Sequence, residues 1–383
     1  MTARIAILGT RGIPNHYGGF EQLAEYLAPG LVEAGHDVTV YNSHNHPFRE
    51  KTWKGVHIRH CYDPEYMLGS AGQFIYDLNC IIDARSQRYD VILQLGYTSS
   101  SIWGRLFPRK SKIIYNLDGL EWQRTKYSPT IRKFLLHAEK LAVKHSDYYI
   151  ADSPVIQNYF REKYGIEAEY IAYGAELFGQ ADPTVLDAYG VRAGEYFLLM
   201  ARMEPENNIG MILDGFVKSN TQRPILVVGD TVNAFSKHLR SKFGADQRVR
   251  FTGGIYDQWK VHCLKAFCGL YFHGHSTGGT NPSLLEAMAS EALIAAHENA
   301  FNRQVLEGDA LYFSCAEHVT GLVDSVVVPL DARGIRQRNR TKIAKHFSWP
   351  DIIARYEQFI LFSLSMKPRK THERDVLYRR YSG

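Results

Sequence analysis

The stretch 269-GLYFHGHSTGGTNPSLLEAMAS-290 decides how the chain is to be read. Its apolar start, 269-GLYFHG-274, has the length and content of a short buried strand; Gly278, Gly279 and Thr280 then turn the chain, and Asn281 with Pro282 opens a helix. Asparagine is a favoured N-cap because its side-chain oxygen accepts a backbone N–H that the first helical turn leaves unpaired. Proline at the first helical position gives up a donor that would have no partner there anyway. Strand, glycine turn and helix make up half of a βαβ unit.

The same alternation extends in both directions. Short apolar or β-branched runs stand at 4-RIAILG-9, 37-DVTVYN-42, 56-VHIRHC-61, 90-DVILQL-95, 112-KIIYNL-117 and 147-DYYIAD-152. A second series follows at 196-YFLLMA-201, 224-PILVVG-229, 249-VRFTGG-254, 269-GLYFHG-274 and 293-LIAAHE-298. Helical patterns separate them, so right-handed crossovers and parallel sheets covered on both faces are expected. Two such series predict two doubly wound α/β domains. The stretch 173-YGAELFGQADPTVLDAYGVRAGE-195 is the expected boundary, with one domain over 1–175 and the other over 176–350. After Pro350, residues 351–366 read as a helix that either crosses back onto the first domain or closes the second.

Composition narrows the function. At 383 residues the chain is longer than one core comfortably supports. Its hydrophobic share of 45% and charged share of 22% are ordinary for a globular protein, and no apolar run approaches the ~18 residues of a membrane span. The N-terminal MTARIAILGT enters a strand at once, without the apolar core and cleavage site of a secretory signal, so a cytoplasmic protein is expected. Five scattered cysteines with no C-x-x-C pair suggest neither a disulfide framework nor a zinc knuckle. Much of the net charge of +5 lies in 331-DARGIRQRNRTK-342 and in the tail 367–383. These runs suit nucleic acid, an anionic membrane surface, or plain solvation.

Two loops suit an anion. In 9-GTRGIPNHYGGFEQLAEYL-27 the chain leaves a strand and turns through Gly18 and Gly19 into a helix, but neither the dinucleotide fingerprint nor a P-loop is present. In the opening stretch, the amide of Ser283 lies close to the Gly278, Gly279, Thr280 turn, where a diphosphate can sit if a cation helps; Arg202, just past 196-YFLLMA-201, is the candidate. Glu286 has two readings. It is either one half of a capping box with Ser283 or a ligand-binding carboxylate. His273 and His275 form an H-x-H pair without a third metal ligand at sensible spacing.

Together, 8-LGTRGIPNHYGGFEQLAEYLAPGLVEAGHDVTVY-41, 116-NLDGLEWQRTKY-127, 200-MARMEPENNI-209 and 273-HGHSTGGTNPSLLEAMA-289 resemble glycosyltransferase family 4. The similarity is greatest to its branch of bacterial rhamnosyltransferases of cell-surface polysaccharide assembly, and it runs to about residue 366. The resemblance implies a GT-B fold: two Rossmann-like, doubly wound parallel-sheet domains facing a cleft, with the nucleotide-sugar donor mainly on the C-terminal one. It implies a retaining, metal-independent transferase without a cofactor, and no D-x-D is present to hold a metal on the diphosphate.

The expected catalytic set is Asp118, Arg202 and Glu286. Donor contacts are expected from Gly18, Gly19, Arg202, Asn207, Gly278, Gly279, Thr280, Asn281, Ser283 and Glu286. In the family Glu286 corresponds to the glutamate that binds ribose. Asp118 is expected to meet the transferred sugar, its other reading being a turn or helix cap. Two positions depart from the family pattern: Gly278 stands where a first glutamate is usual, and Asn207 where a lysine is usual. The branch favours dTDP-L-rhamnose as donor and a lipid-linked glycan as acceptor, with the basic tail 367–383 and 336-RQRNRTK-342 resting on an anionic membrane face and no role for nucleic acid. A UDP- or GDP-hexose donor, or a nucleotide-sugar-binding subunit with weak catalysis, are the alternatives.

Overall fold

The computed structural model describes residues 2–16, 18–117, 119–124, 127–325 and 331–366. The chain divides into two compact units. Among the described residues, one comprises those up to 123, 127–173 and 349–366; the other comprises those of 174–348 with Arg124.

The sheet of the first unit contains β1 (Arg4–Leu8), β2 (Asp37–Ser43), β3 (Thr52–Trp53), β4 (Val56–Cys61), β5 (Val91–Leu95), β6 (Lys112–Asn116), β7 (Tyr148–Ala151) and β8 (Glu169–Tyr170). Their spatial order is β3-β4-β2-β1-β5-β6-β7-β8. Only β3 runs antiparallel to its neighbour among these pairings. All five residues of β5 are buried, as expected of a strand covered by helices on both faces. Helix Trp349–Ser365 packs within this unit: Trp349 stacks on Tyr26 with ring centroids 4.4 Å apart, and the Tyr356 hydroxyl accepts from Asn116 Nδ2 at 2.9 Å.

The second unit contains β9 (Phe197–Met200), β10 (Ile225–Val228), β11 (Val249–Gly253), β12 (Leu270–His273), β13 (Ile294–His297) and β14 (Leu311–Phe313), in the spatial order β11-β10-β9-β12-β13-β14. Every pairing is parallel. Phe197, Leu199, Ile212, Phe216, Val227 and Phe272 belong to the core on one face of this sheet. The chain winds outward from β9 to β11, returns, and winds the other way from β12 to β14. That reversal separates the connections leaving β9 and β12, and it opens a crevice beyond their carboxyl ends, where ligands of such sheets bind.

Candidate functional site

The crevice of the second unit is lined by the loop after β9 and the loop after β12. Arg202 stands on the first, exposed, and its guanidinium makes no hydrogen bond or ion pair among the described residues. The second runs through Gly278, Gly279 and Thr280 into helix Pro282–Ala289. Asn281 caps this helix with its Oδ1 accepting from the Ser283 amide at 2.9 Å, and Pro282 is the first helical residue. Pro282 has no N–H, the Ser283 amide is taken by this cap and those of Leu284 and Leu285 by the Asn281 carbonyl, so the helix brings the positive end of its dipole to the crevice that Arg202 borders.

The two loops are tied together. Asn208 Nδ2 donates to the Gly274 carbonyl at 2.8 Å, and the Ser276 hydroxyl donates to the Glu206 carbonyl at 2.8 Å. A Cβ on Gly274 would stand 2.0 Å from the Asn207 carbonyl oxygen, so only glycine lets the backbones approach this closely. The amide side chain of Asn207 completes the brace: Nδ2 donates to the Arg202 carbonyl at 2.7 Å, and Oδ1 lies 2.9 Å from His275 Nδ1. Each end of this amide thus makes one bond that holds the loops together.

Gly278 has φ +117°, a conformation that residues with a side chain rarely adopt. The absence of a glutamate at this position therefore follows from the path of the loop. Any side chain here would also approach His275 Nε2, to 3.1 Å at the Cβ.

Glu286 is one turn into the helix. Its Oε2 meets Lys265 Nζ at 2.7 Å, with the Lys265 side chain 0% and that of Glu286 17% exposed. Lys265 comes from helix Gln258–Phe267 and also approaches the Ser283 hydroxyl, at 3.5 Å, while Tyr271 places its own hydroxyl 3.0 Å from the same oxygen. The capping-box reading needs Ser283 as N-cap. Asn281 holds that place instead and Ser283 is the second helical residue, so the pairing of Glu286 is with Lys265.

Lys265 carries no motif, and only its place on the buried face with Val261 and Leu264 marks it as a lysine with a partner. His275 likewise has no local signal for its bracing contact with Asn207. Burial above all, with Arg202 among the nearby charges, pushes its pKa down to about 3; burial likewise holds His273 well below the usual imidazole range. Both rings are neutral near pH 7.

Gly18 and Gly19 belong to the first unit, the residues above to the second. Gly18 is the extended N-cap of helix Gly19–Glu33 and no side chain caps that helix. Glu21, in the same YGGFE string, accepts from the Arg11 amide at 2.7 Å and so fixes the loop before the helix. Asp118 lies outside the described residues, as does the tail 367–383. The basic run 336–342 is largely neutralised where it stands: Arg338 pairs with Asp309 at 2.6 Å and Asp331 at 2.7 Å, Arg340 with Glu291 at 2.7 Å, and Lys342 with Asp309 at 2.9 Å. No helix among the described residues is long and apolar enough to cross a membrane.

Residues 2–176 match a family model described as a domain of unknown function, DUF1972. Among curated proteins, the phosphatidyl-myo-inositol mannosyltransferase of Mycolicibacterium smegmatis is 28% identical over 196 residues, 49% of each chain, so the match spans about half the length of that relative. Among solved structures, sucrose-phosphate synthase from Thermosynechococcus elongatus superposes with a TM-score of 0.80 at 16% identity, covering 95% of this chain and 99% of that one. HepE of Anabaena, in complex with UDP and glucose, gives 0.72 at 16% identity, covering 94% and 99%. With two doubly wound parallel sheets in sequence and these neighbours along nearly its whole length, the chain has the GT-B fold.

Proposed function

We propose that the protein is a retaining, metal-independent glycosyltransferase that takes its sugar from a nucleoside diphosphate donor held in the β9/β12 crevice. The observation that carries this is the convergence of an Arg202 unpaired among the described residues, a capped helix start after Gly278–Thr280, and the Lys265–Glu286 pair one turn deeper. Arg202 and the positive end of the helix dipole supply positive charge where a leaving diphosphate gains negative charge, which is the largest lever such a site has on a transfer reaction. Glu286, fixed by Lys265, presents its carboxylate to ribose hydroxyls. Asn207 serves the donor indirectly by holding Arg202's loop against His275.

The donor we favour is dTDP-L-rhamnose, on the resemblance of the YGGFE, NLDGLEW and GGTNPSLLEAM strings to the rhamnosyl branch. Gly278 supports it, since one carboxylate fewer on the sugar side suits a 6-deoxy sugar whose methyl group needs apolar contact. UDP-glucose is the rival, because HepE was solved with UDP and glucose. A lipid-linked acceptor is the counterpart of the phosphatidyl-myo-inositol named for the mycobacterial relative. With Arg338, Arg340 and Lys342 paired in place, attraction to an anionic membrane would rest mainly on the tail 367–383, and the exposed Tyr66, Met67 and Leu68 offer apolar contact of the kind a bilayer surface accepts.

Thermal shift with UDP, dTDP, uridine and thymidine tests the site. A nucleotide at 100 times its Kd stabilises the fold by ~2.7 kcal/mol. Arg202→Ala is expected to weaken both diphosphates at least tenfold, about the worth of a charge-assisted hydrogen bond, and to leave the nucleosides unchanged. Equal losses for diphosphates and nucleosides would remove Arg202 from the diphosphate.

A further inference from the structure

Away from the β9/β12 crevice, the second unit holds a cavity of about 500 Å³ walled by Phe178, His262, Ser290, Glu291, Arg336 and Arg340. Ser290 and Glu291 follow the C-terminal end of helix Pro282–Ala289, whose other end carries the Gly278–Thr280 loop. A helix of that length spans about 12 Å, so the cavity and the crevice are separate places. The volume falls in the range that holds small organic ligands.

Charge in the wall is unbalanced. Glu291 Oε1 meets Arg340 Nη1 at 2.7 Å and accounts for one guanidinium. Arg336 has no ion pair or hydrogen bond among the described residues, and its Nε is buried without a partner. A half-buried guanidinium with no counter-charge is unfavourable unless an anion comes to it. A second observation is independent of the first. Glu291 has φ +56°, the left-handed conformation that glycine or asparagine usually takes just past a helix end. The strain falls on the residue that fixes Arg340 in the wall, and strain of this kind collects at ligand sites. Part of the rim is aromatic: Phe178 stacks on His262 with ring centroids 4.3 Å apart, and His262 Nδ1 is 2.9 Å from the Ser290 hydroxyl. Burial first, then the charges of Lys265 and Arg340, hold His262 below the usual imidazole range, so it adds no charge of its own near neutrality.

We infer that this cavity binds a small organic anion, with an oxyanion head, carboxylate or phosphate ester, on the fork of Arg336 and a planar or apolar body against the aromatic rim at Phe178. The site is independent of the donor crevice, though it shares two helices with it. His262 and Lys265 lie one turn apart on helix Gln258–Phe267, and Ser290 follows Glu286 by one turn on the other.

Calorimetric titration of phenyl phosphate, benzoate and inorganic phosphate into the full chain tests this. One saturable site is expected for phenyl phosphate or benzoate, tighter than for inorganic phosphate, and the better of the two identifies the head group. Arg336→Gln is expected to weaken it at least tenfold. Phe178→Ala should weaken the organic anions and leave inorganic phosphate unchanged. Arg202→Ala, in the other crevice, should leave all three isotherms as they are. Equal binding to wild type and to a folded Arg336→Gln, loss of binding in Arg202→Ala, or no saturable binding of any probe would overturn the inference. Should Arg336→Gln fail to fold, Arg336→Lys, which keeps the charge and loses the fork, takes its place, and wild-type affinity there counts against the site in the same way.

Discussion

Replacing Lys265 with methionine removes a cation that meets Glu286 at 2.7 Å while keeping most of the buried volume. Taking one partner from a buried ion pair costs ~3–5 kcal/mol, because the other charge is left desolvated and unmatched. Glu286 is 17% exposed and can draw some water, whereas Lys265 is fully buried, so the two single changes are unequal. Lys265→Met should cost ~3 kcal/mol, the lower end of that range, and Glu286→Leu, which strands the buried ammonium, at least as much. In a domain of this size 1 kcal/mol moves Tm by ~2–4 °C, so each single variant should melt roughly 6–12 °C lower. The double variant, with neither charge, should recover most of the loss. Urea denaturation of all four proteins gives the coupling energy directly, expected at 2 kcal/mol or more and well outside the ~0.3–0.5 kcal/mol scatter of independent sites. The stability-restored double variant should still bind UDP and dTDP more weakly than wild type. Additive losses would show that the pair is not coupled, and undiminished nucleotide affinity would take Glu286 away from the ribose.

Two further outcomes follow from the same unit. Because burial depresses the pKa of His273 and His275, the unfolded chain takes up protons below about pH 6.5 that the native state refuses. Stability is therefore full above that pH and declines as pH falls toward the folded value of about 3 for His275; His275→Gln should flatten the decline between pH 7 and 5, and an unchanged slope would mean the ring is accessible to protons. Gly274→Ala places a Cβ 2.0 Å from the Asn207 carbonyl and 2.9 Å from Ile212 Cδ1, so the two loops must part. A loss of ~2–3 kcal/mol in chemical denaturation is expected from such overpacking, and a cost near zero would show that the loops yield freely.

Much of this was legible locally. Strands such as 225–228, wholly apolar and wholly buried, follow from their own composition, and Asn281 with Pro282 marks a helix start that the structure contains as read. What the sequence hid was short or distant. The two-residue strands β3 and β8 and the three-residue β14 are too brief for any periodicity to register. The Ser283-x-x-Glu286 spacing is a genuine local signal for a cap, yet Asn281 reaches the Ser283 amide first, and the partner of Glu286 stands 21 residues upstream. The charge of 336–342 is plain in the sequence, whereas its neutralisation by Asp309, Glu291 and Asp331 depends on chain brought from elsewhere in the fold. The two departures from the family pattern have local geometry behind them that no spacing shows: Gly278 has a positive φ, and Asn207 bridges two loops.

The most direct test is donor turnover. The full chain, in EDTA, is incubated with dTDP-L-rhamnose, UDP-glucose, UDP-GlcNAc and GDP-mannose at equal concentration, and release of each nucleoside diphosphate is followed with and without a lipid-linked glycan. Slow release without acceptor, faster release with it, preference for dTDP-L-rhamnose, no requirement for divalent metal and loss of turnover in Arg202→Ala are the expected results. Preference for a hexose donor would replace the rhamnosyl assignment and keep the transferase, whereas no release from any donor by a folded protein that binds the nucleotides would contradict the transferase itself.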